Sequence, residues 1–269
     1  MKAGSSAGAL SVREISYPPN LYQPPHAHPH ASVTLVLSGS LEERAGSRSE
    51  RGLALGVVVK PAGVEHDDRF GTAGARTVQI SVGGDAAREL SGRGDVLERW
   101  RWIPVGAAVP QFLRLYEAVR SAAPAPAVQN AAWEVLAALA EPCVHAGGEP
   151  RGRRGAVPAW LRLVRAQVDD SPAEPHRVRD LAAAAGVHPV HLAREFRRHY
   201  GSALSEHLQR RRLQAAAELL IESHEPIAAV ATHAGFADQS HLGRRLRFHA
   251  GVTPSHLRRS AGRPMLQTF

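Results

Sequence analysis

The sequence predicts a two-domain α+β protein, with an antiparallel β domain followed by an all-α domain. Three observations support this fold class. Residues 11–82 contain short runs rich in Val, Ile and Thr, separated by Gly, Pro or Ser, which is typical of a compact antiparallel β domain. From Asp85 onward, Ala, Leu and Arg recur at helical spacing. Finally, two basic, half-apolar segments that begin at His191 and His241 are nearly alike.

Composition excludes several classes of protein. The 269 residues are 43% hydrophobic, which is enough for folded cores. The longest apolar runs, such as LALGVVV from Leu53, are far shorter than the roughly 18 to 20 residues of a membrane-spanning helix. The N-terminus lacks the apolar stretch of a secretory signal. Because Cys143 is the only cysteine, neither an intramolecular disulfide nor a thiolate metal site can form. We therefore expect a cytoplasmic protein with no membrane association.

Positive charge is concentrated in the second half of the chain. The net charge is +8, and Lys and Arg outnumber Asp and Glu by 17 to 15 in residues 1–155 but by 16 to 10 in residues 156–269. An excess of +2 is thus followed by one of +6. A basic domain beside a nearly neutral one indicates an anionic partner, most often nucleic acid, although a solvated basic surface explains charge alone equally well.

The texture of the sequence divides the chain into four parts. We expect strands in the runs SVREISY, SVTLVLSG, LALGVVVKP and RTVQISV. Helices are predicted at 111–120 and 128–140, with a Pro-rich segment between them. The predicted parts are a β domain (1–84), a helical connector (85–144), a linker (145–158) and a helical domain (159–262). Apolar residues of the connector could pack on the β domain or form a dimer interface: Trp133, Val135, Leu136 and Leu139.

The two similar segments each predict a helix-turn-helix unit. HLAREFRRHYGSALS and HLGRRLRFHAGVTPS share His, Leu, Arg, Arg, His, Gly and Ser in register, and each follows a short apolar helix that ends in glycine. In such a unit the first helix braces the second, which can enter a major groove of DNA. A predicted helix of about 19 residues joins the units and spans roughly 28 Å. One monomer can therefore address two successive major grooves, which lie about 34 Å apart.

Helical phase separates a packing face from a free face in both segments. At about 100° per residue, Leu192 and Phe196 share one face while Arg194 and Arg197 lie opposite. The second segment places its apolar residues inward and its basic residues outward in the same way: Leu242 and Leu246 inward, Arg244 and Arg247 outward. A basic face on a single helix is more often merely solvated. Two complete units in register favour contact with DNA.

The helical half resembles the DNA-binding domain of AraC/XylS-type transcription regulators. GFADQSHLGRRLRFHAGVTPSHLRR is similar to the C-terminal signature of that family, and RRRLQAAAELL is similar to its spacer helix. The resemblance covers residues 157–260. It implies a seven-helix domain that contacts promoter DNA through both units and activates transcription through RNA polymerase.

The resemblance also implies a set of contact residues. Bases would be read by residues at the start of each recognition helix: Val190, His191, Ala193, Arg194, Gln239, Ser240, His241, Gly243 and Arg244. Four arginines are better suited to phosphate, which positions a protein without reading sequence: Arg197, Arg198, Arg247 and Arg258. Two residues depart from the family pattern. Leu204 stands where Pro is common, and Phe248 stands where a basic residue is usual.

The first domain resembles the cupin barrel that AraC-type regulators often carry as a sensor. The resemblance covers residues 10–83 and rests on the alternating His26, His28 and His30, and on His66 in the pattern P-x-G-x-x-H. Alternation on a strand puts all three of the first histidines on one face. In metal-binding cupins, histidines at the places of His26, His28 and His66 bind a divalent metal together with a glutamate. Here Ser32 and Val33 stand where that glutamate is expected.

Two interpretations of these histidines stand side by side. Three imidazoles can hold Zn²⁺ or Fe²⁺ with open coordination positions. Alternatively, the histidines line a ligand pocket or simply complete a strand. In either case we expect a transcription regulator whose barrel binds a small-molecule effector, and a homodimer formed through the connector. We do not expect an enzyme. The alternative function is a metal-dependent cupin enzyme tethered to a DNA-binding domain.

Overall fold

The computed structural model describes residues 10–46, 48–91, 96–103, 105–106, 108–140 and 156–262. Among these residues the strands are β1 (Leu10–Tyr17), β2 (Tyr22–His26), β3 (Ala31–Ala45), β4 (Arg48–Leu53), β5 (Val57–Lys60), β6 (His66–Val82) and β7 (Arg101–Ile103). The helices of the first half are α1 (Gly84–Ser91), α2 (Val109–Arg120) and α3 (Ala125–Ala140). The helices of the second half are α4 (Ala159–Asp170), α5 (Val178–Ala184), α6 (Pro189–Tyr200), α7 (Leu204–Glu222), α8 (Ile227–His233), α9 (Gln239–Ala250) and α10 (Pro254–Ala261).

Two long strands, β3 and β6, form the centre of the antiparallel sheet. They pair along almost their whole length, from Ala31 opposite Val82 to Arg44 opposite Asp67. Toward one end the strand order is β1-β6-β3-β5-β7, and toward the other end β2 pairs with β6 while β4 pairs with β3. Both faces of β3 are buried over its first eight residues. The sheet therefore packs on helices with one face and folds over itself with the other.

A pair of glycines marks the bend between the two ends of the sheet. The register of β3 against β6 shifts on either side of Gly39, which is characteristic of a β-bulge. Gly39 has a φ of +78° and lies so close to Gly74 that a Cβ on it would come within 2.1 Å of the Gly74 carbonyl oxygen. Only glycine fits such a position without moving the backbone. The bulge also leaves the Gly39 N–H outside the hydrogen-bond ladder of the sheet, so it can donate a hydrogen bond to another element.

The sequence prediction of an antiparallel β domain followed by helices is confirmed, but the barrel does not close. Within the described residues, β1 and β7 are the two ends of the longest path of paired strands and do not pair with each other. The four predicted strand runs correspond to β1, β3, β5 and the second part of β6. Sequence reasoning missed β2, β4 and β7, because their residues alternate less regularly, and it did not single out α1 within the connector that it predicted to be helical.

The predicted connector helices are present as α2 and α3, and their apolar faces pack inward. Val135 and Leu136 are fully buried, and Leu139 is nearly so. Trp133 is half-buried against the same core. This is the first of the two alternatives left open by the sequence, whereas dimerisation stays a prediction. Most of the predicted linker at 145–158, with Cys143 before it, lies outside the described residues, and the four domain boundaries stay predictions.

Seven helices, α4 to α10, make up the described part of the chain from residue 159 onward. They contribute to two separate hydrophobic cores. The first contains residues from α4, α5, α6 and the beginning of α7. The second contains the rest of α7 with α8, α9 and α10, and it is continuous with the core of the sheet, α2 and α3. The second helix-turn-helix unit is thus packed on the first half of the protein. No helix in the described ranges combines the length and apolarity needed to cross a membrane.

Candidate nucleic-acid interface and histidine cluster

Each recognition helix is defined by a tight turn before it and a glycine after it. In the first unit, α5 ends at a turn in which Gly186 has a φ of +66°, and the His188 side chain accepts the backbone N–H of Val190 at 3.3 Å. Pro189 then occupies the first turn of α6, where its missing N–H costs nothing. The helix ends at Gly201 in the left-handed conformation, and the Gly201 N–H bonds to Arg197.

The second unit repeats these local structures. Gly235 has a φ of +81° in the turn after α8, and an Asp238 oxygen accepts the N–H of His241 at 2.6 Å. The helix α9 ends at the left-handed Gly251, whose N–H bonds to Arg247. Asp is a stronger N-cap than His, so the start of α9 is held more firmly than that of α6. The repeat in the sequence is therefore a repeat in backbone structure.

The outward faces of α6 and α9 carry the predicted base-reading residues. Leu192, Phe196, Leu242 and Leu246 are fully buried, as the helical phase predicted. On the opposite faces, the structure leaves most of the predicted residues exposed: Val190, Ala193, Arg194, Gln239, Ser240 and Arg244. Gly243 is half-buried. The basic faces therefore point to solvent and are available to a partner.

His191 and His241 take equivalent half-buried positions at the margin of this surface. The ring of His191 lies 5.6 Å from Trp160, and that of His241 meets Phe236 edge-on at 5.3 Å. The guanidinium of Arg194 also lies 3.3 Å from Nδ1 of His191. These contacts fix each imidazole against its own unit, so a part of each ring remains available at the surface.

Three of the four arginines predicted to contact phosphate are exposed: Arg197, Arg198 and Arg247. Arg258 is placed differently. It lies on α10, half-buried, and its Nε donates to the carbonyl oxygen of Leu220 at 3.4 Å. Its Nη2 is buried and has no hydrogen-bond partner among the described residues. This contact attaches α10 to the end of α7. Contact of Arg258 with phosphate stays a prediction, and its half-buried position distinguishes it from the other three arginines.

A buried glutamate distinguishes the first recognition helix from the second. Glu195, which is 8% exposed, lies 3.7 Å from Arg194 and 3.3 Å from Arg198. The corresponding position in α9 is Arg245, which is exposed. Three arginines and one glutamate leave α6 with a charge of +2, whereas the three arginines of α9 give +3. Sequence reasoning missed this asymmetry, although the alignment of the two segments contains it.

A polar network holds the first unit against the spacer helix. Asp169 at the end of α4 accepts a hydrogen bond from Nε2 of His207 at 2.7 Å and forms an ion pair with Arg211, whose Nε lies 2.9 Å away. Burial raises the pKa of Asp169, but the hydrogen bond from His207 and the positive charges of His207 and Arg211 outweigh burial and lower it. The guanidinium of Arg165 lies 4.7 Å from the centre of the Tyr200 ring. These contacts connect α4, α6 and α7 and set the orientation of α6.

The structure brings together the three histidines matched to the metal ligands of cupins. Ligand atoms of His26, His28 and His66 all lie within 4.8 Å of one another. His26 at the end of β2 pairs directly with His66 at the start of β6. Strand β2 ends before His28, so the predicted alternation does not continue, and the exposed His30 lies outside the cluster. The prediction that all three of the first histidines share a strand face is wrong for this reason.

Charged residues that the sequence did not single out are buried beside this cluster. Glu43 and Asp68 are opposite each other on β3 and β6, and Lys60 lies 2.5 Å from Glu43 and 3.5 Å from Asp68. All three are less than 10% exposed. The Trp100 indole N–H donates to Glu43. Burial lowers the pKa of His66 to about 4, with Lys60 as the next cause, so that its ring is neutral at neutral pH.

A cleft opens next to these buried charges. Its volume is about 550 Å³, and its lining includes Trp100, Glu65, Arg48 and Arg99. This volume lies within the range of sites that hold small molecules. Trp100 connects the cleft to the interior, since it lines the cleft and bonds to Glu43. A small molecule in the cleft would therefore contact Trp100, whose indole N–H is bonded to Glu43 of the buried charged cluster.

Two groups of polar contacts join the sheet to the second helix-turn-helix unit. The Gly39 N–H, freed by the bulge, donates to both carboxylate oxygens of Glu218 on α7, at 2.9 and 2.8 Å. Arg76 on β6 bonds to Glu222 of α7 at 3.1 Å and to the Tyr116 hydroxyl at 2.9 Å. On another side of the unit, Ser260 of α10 donates to Glu117 of α2. The spacer helix is therefore attached to the bend of the sheet.

Comparisons with known proteins agree with this geometry. Residues 181–260, which cover α6 to α9 and most of α5 and α10, match the family described as helix-turn-helix domain. The chain is 32% identical over 130 residues to the HTH-type transcriptional regulator GlxA of Rhizobium meliloti (strain 1021), covering 48% of this chain and 40% of that protein. It is 29% identical over 91 residues to the multiple antibiotic resistance protein MarA of Escherichia coli (strain K12), covering 34% of this chain and 72% of MarA.

A solved structure is also similar to part of the chain. It is the DNA-binding domain of AdpA, a global transcriptional factor, in complex with a target DNA. The identity is 30%, the coverage is 37% of this chain and 89% of that chain, and the TM-score is 0.36. The chain spans about two fifths of GlxA, so the likeness to that relative concerns part of its length. Residues 181–260 thus contain a helix-turn-helix domain, which agrees with the sequence prediction for this part of the chain.

Proposed function

We propose that the protein is a sequence-specific DNA-binding transcription regulator. The observation that carries this proposal is the pair of helix-turn-helix units with matching turns, caps and exposed arginine faces. A recognition helix reads bases from its N-terminal part, which here holds the exposed Arg194 and Arg244. An arginine can form two hydrogen bonds with guanine, and a glutamine such as Gln239 can form two with adenine. The similarity to named transcription regulators supports the same function.

Binding to promoter DNA is tested by mapping bound sites across the genome and measuring affinity for the sites found. The expected effect of Arg244→Ala or Arg194→Ala is a loss of about 1 to 3 kcal/mol, roughly 5- to 150-fold, each at its own half-site. The matched control is Arg247→Ala, which should weaken binding to all DNA equally and flatten the salt dependence. Equal loss on random DNA for Arg244→Ala would assign this arginine to phosphate as well.

The regulator is controlled, in this proposal, by a small-molecule effector bound in the cupin-like first domain. Two features support effector binding: the cleft at Trp100, and the buried charged residues Glu43, Lys60 and Asp68. Buried ionisable groups beside a cleft are typical of functional sites. An effector must bind one arrangement of the protein more tightly than another. Unchanged promoter affinity with every candidate effector would refute effector control without affecting the DNA-binding proposal.

In the simplest version of this proposal, promoter binding leads to activation through RNA polymerase. The proposed protein is also a homodimer that forms through the connector. A reporter gene downstream of a mapped site tests the direction of regulation, and sedimentation tests the oligomeric state. The histidine cluster favours one second candidate, a metal-dependent cupin enzyme tethered to DNA. Metal content and turnover of the purified protein, compared with His26→Ala and His66→Ala, separate the two functions. Stoichiometric metal with turnover would favour the enzyme.

A further inference from the structure

The histidine cluster and the buried carboxylates share one residue, His66. One of its ring nitrogens lies within 4.8 Å of ligand atoms of His26 and His28, and one lies within 4.8 Å of carboxylate oxygens of Glu43 and Asp68. Ligands around a tetrahedral metal with bonds of about 2.0 Å are roughly 3.3 Å apart, so the side chains would have to move closer together around an ion. Two donor groups, one of imidazoles and one of carboxylates, meet at this residue.

The tautomers of two histidines are already set for coordination. Nδ1 of His66 lies 2.9 Å from the carbonyl oxygen of Val64, and Nδ1 of His26 lies 2.8 Å from that of Pro24. Each Nδ1 therefore carries the proton and donates it, which leaves the Nε2 lone pair free. A backbone carbonyl bound to the second ring nitrogen is the usual support of a metal-binding histidine. The same two-residue spacing in both cases shows that the backbone itself orients the rings.

Among the described residues, Nε2 of His66 and Oδ1 of Asp68 are buried without a hydrogen-bond partner, in residues that are 3% and 4% exposed. Oε2 of Glu43 also lacks a hydrogen bond, but it lies 2.5 Å from Nζ of Lys60. An unpaired polar atom at such depth costs free energy unless something binds it. The unpaired atoms of His66 and Asp68 accept rather than donate, so a hydrogen-bond acceptor cannot satisfy them, whereas a cation can.

The position of Asp68 explains how the cluster does without the glutamate of cupins. Ser32 stands at the expected place, is 2% exposed, and lies opposite Lys60 on β5. A hydroxyl is a weak ligand for a divalent ion. Asp68 follows His66 by two residues on β6, so the side chains of both emerge from the same face of the strand. Asp68 thus offers a buried carboxylate on the same strand face as His66.

Lys60 compensates the charge of the carboxylates. It is close to Glu43, at 2.5 Å, and more loosely placed against Asp68, at 3.5 Å. One lysine and two carboxylates together contribute a charge of −1. Two carboxylates directly opposite each other would repel without a cation between them. A divalent ion that took Asp68 would leave the Lys60–Glu43 pair in place.

We propose that Asp68 joins His26, His28 and His66 as a ligand of a divalent metal ion, and that Lys60 offsets one of the two carboxylate charges when the ion is absent. With the ion bound, the cluster has a charge of +1, which suits an anionic effector entering from the cleft beside Trp100. Only the preference for an anionic effector rests on the proposed sensor function. Metal binding itself can be measured without DNA.

The decisive experiment is a zinc titration of the full chain, after chelator treatment, in competition with a chromophoric chelator. Asp68→Asn should reduce affinity at least as much as the loss of an outer-shell partner, which is about 10- to 100-fold. The matched control is Asp67→Asn. Asp67 is the neighbouring buried carboxylate on β6, but it faces the other way and pairs with Arg44 at 2.8 Å. This control should bind zinc as the unchanged protein does.

A second measurement tests the role of Lys60. In Lys60→Met the two carboxylates are left without their cation, so the metal-free protein should melt at a lower temperature, and zinc should raise that temperature more than in the unchanged protein. Replacing zinc by cobalt gives an absorption spectrum that should change in Asp68→Asn and not in Asp67→Asn. Zinc affinity of Asp68→Asn equal to that of the control would overturn the proposal, and so would the lack of stoichiometric binding. Either result would leave the DNA-binding proposal intact.

Discussion

The first helix-turn-helix unit should be able to unfold without the rest of the protein, because its hydrophobic core is separate. Phe196 of α6 is fully buried at the centre of this core, 4.7 Å from the Tyr200 ring and 5.5 Å from the His207 ring. Leu246 of α9 is equally buried, but its core is shared with the sheet. Substituting each by alanine therefore tests whether the two units differ in how they are held.

The structure sets the size of the two effects. A fully buried Phe replaced by Ala loses about 3 to 5 kcal/mol, and a buried Leu about 2 to 5 kcal/mol. The whole stability of a domain is about 5 to 15 kcal/mol. A loss of 3 kcal/mol raises the population of the open form by more than about 100-fold. In Phe196→Ala this change should be confined to the small core that contains it, whereas in Leu246→Ala it should reach the sheet.

Amide hydrogen exchange of the full chain measures both effects by segment. Phe196→Ala should speed exchange in α4, α5, α6 and the beginning of α7, with the amides of β3 and β6 unchanged. Leu246→Ala should speed exchange in α8 to α10 and also in β3, which contacts α7. If Phe196→Ala speeds exchange in β3 as much as in α6, the chain unfolds as one cooperative unit and the reasoning from separate cores fails.

Three further predictions follow from individual contacts. Glu195→Gln should raise the affinity for random DNA, because a negative charge is removed from the recognition helix. It should lower the ratio of specific to random affinity, because Arg194 loses a nearby carboxylate that orients it. An unchanged ratio in competition binding would contradict this prediction. Glu218→Gln should lower the free energy of unfolding by about 1 kcal/mol in urea titrations, because a neutral acceptor binds the Gly39 N–H less strongly than a carboxylate does, and no change would refute it. Asp169→Asn should lower the free energy of unfolding by about 1 to 3 kcal/mol near neutral pH. The difference from the unchanged protein should shrink as the pH falls below about 4, because Asp169, with its lowered pKa, stabilises the fold only while its carboxylate is charged. A difference that stays constant down to about pH 2 would show that charge is not the cause.

The helical half could be predicted well because its information is local. Spacing of apolar residues along one helix determines which face is buried, and Leu192 and Leu242 follow this pattern without exception. Glycine and capping residues marked the turns in the same way. The partial burial of Arg258 could not be predicted, because its contact with Leu220 joins residues 38 positions apart. Nothing in its own helix distinguishes it from an exposed arginine.

The buried cluster of the first domain could be predicted only in part. The histidines carried a recognisable pattern, but Glu43 and Asp68 meet through the register of β3 against β6, which depends on a bulge at Gly39. A shift of one residue would place either side chain on the other face of the sheet. Lys60 is one of the two lysines of the chain, and its position at the end of a buried strand is the one signal that could have singled it out.

The same bulge connects the first domain to the DNA-binding surface. A ligand in the first domain can change DNA affinity only if it alters contacts that differ between two arrangements of the helical half. The contacts of Gly39 and Arg76 with α7 join the bend of the sheet to the spacer helix, so a change at these contacts would meet this requirement. The helix is continuous over 19 residues, so its movement carries the second unit and displaces the start of the first. The second unit, which shares a core with the sheet, would then set the position of the helical half relative to the first domain. The first unit, which has a core of its own, would adjust its orientation on the DNA.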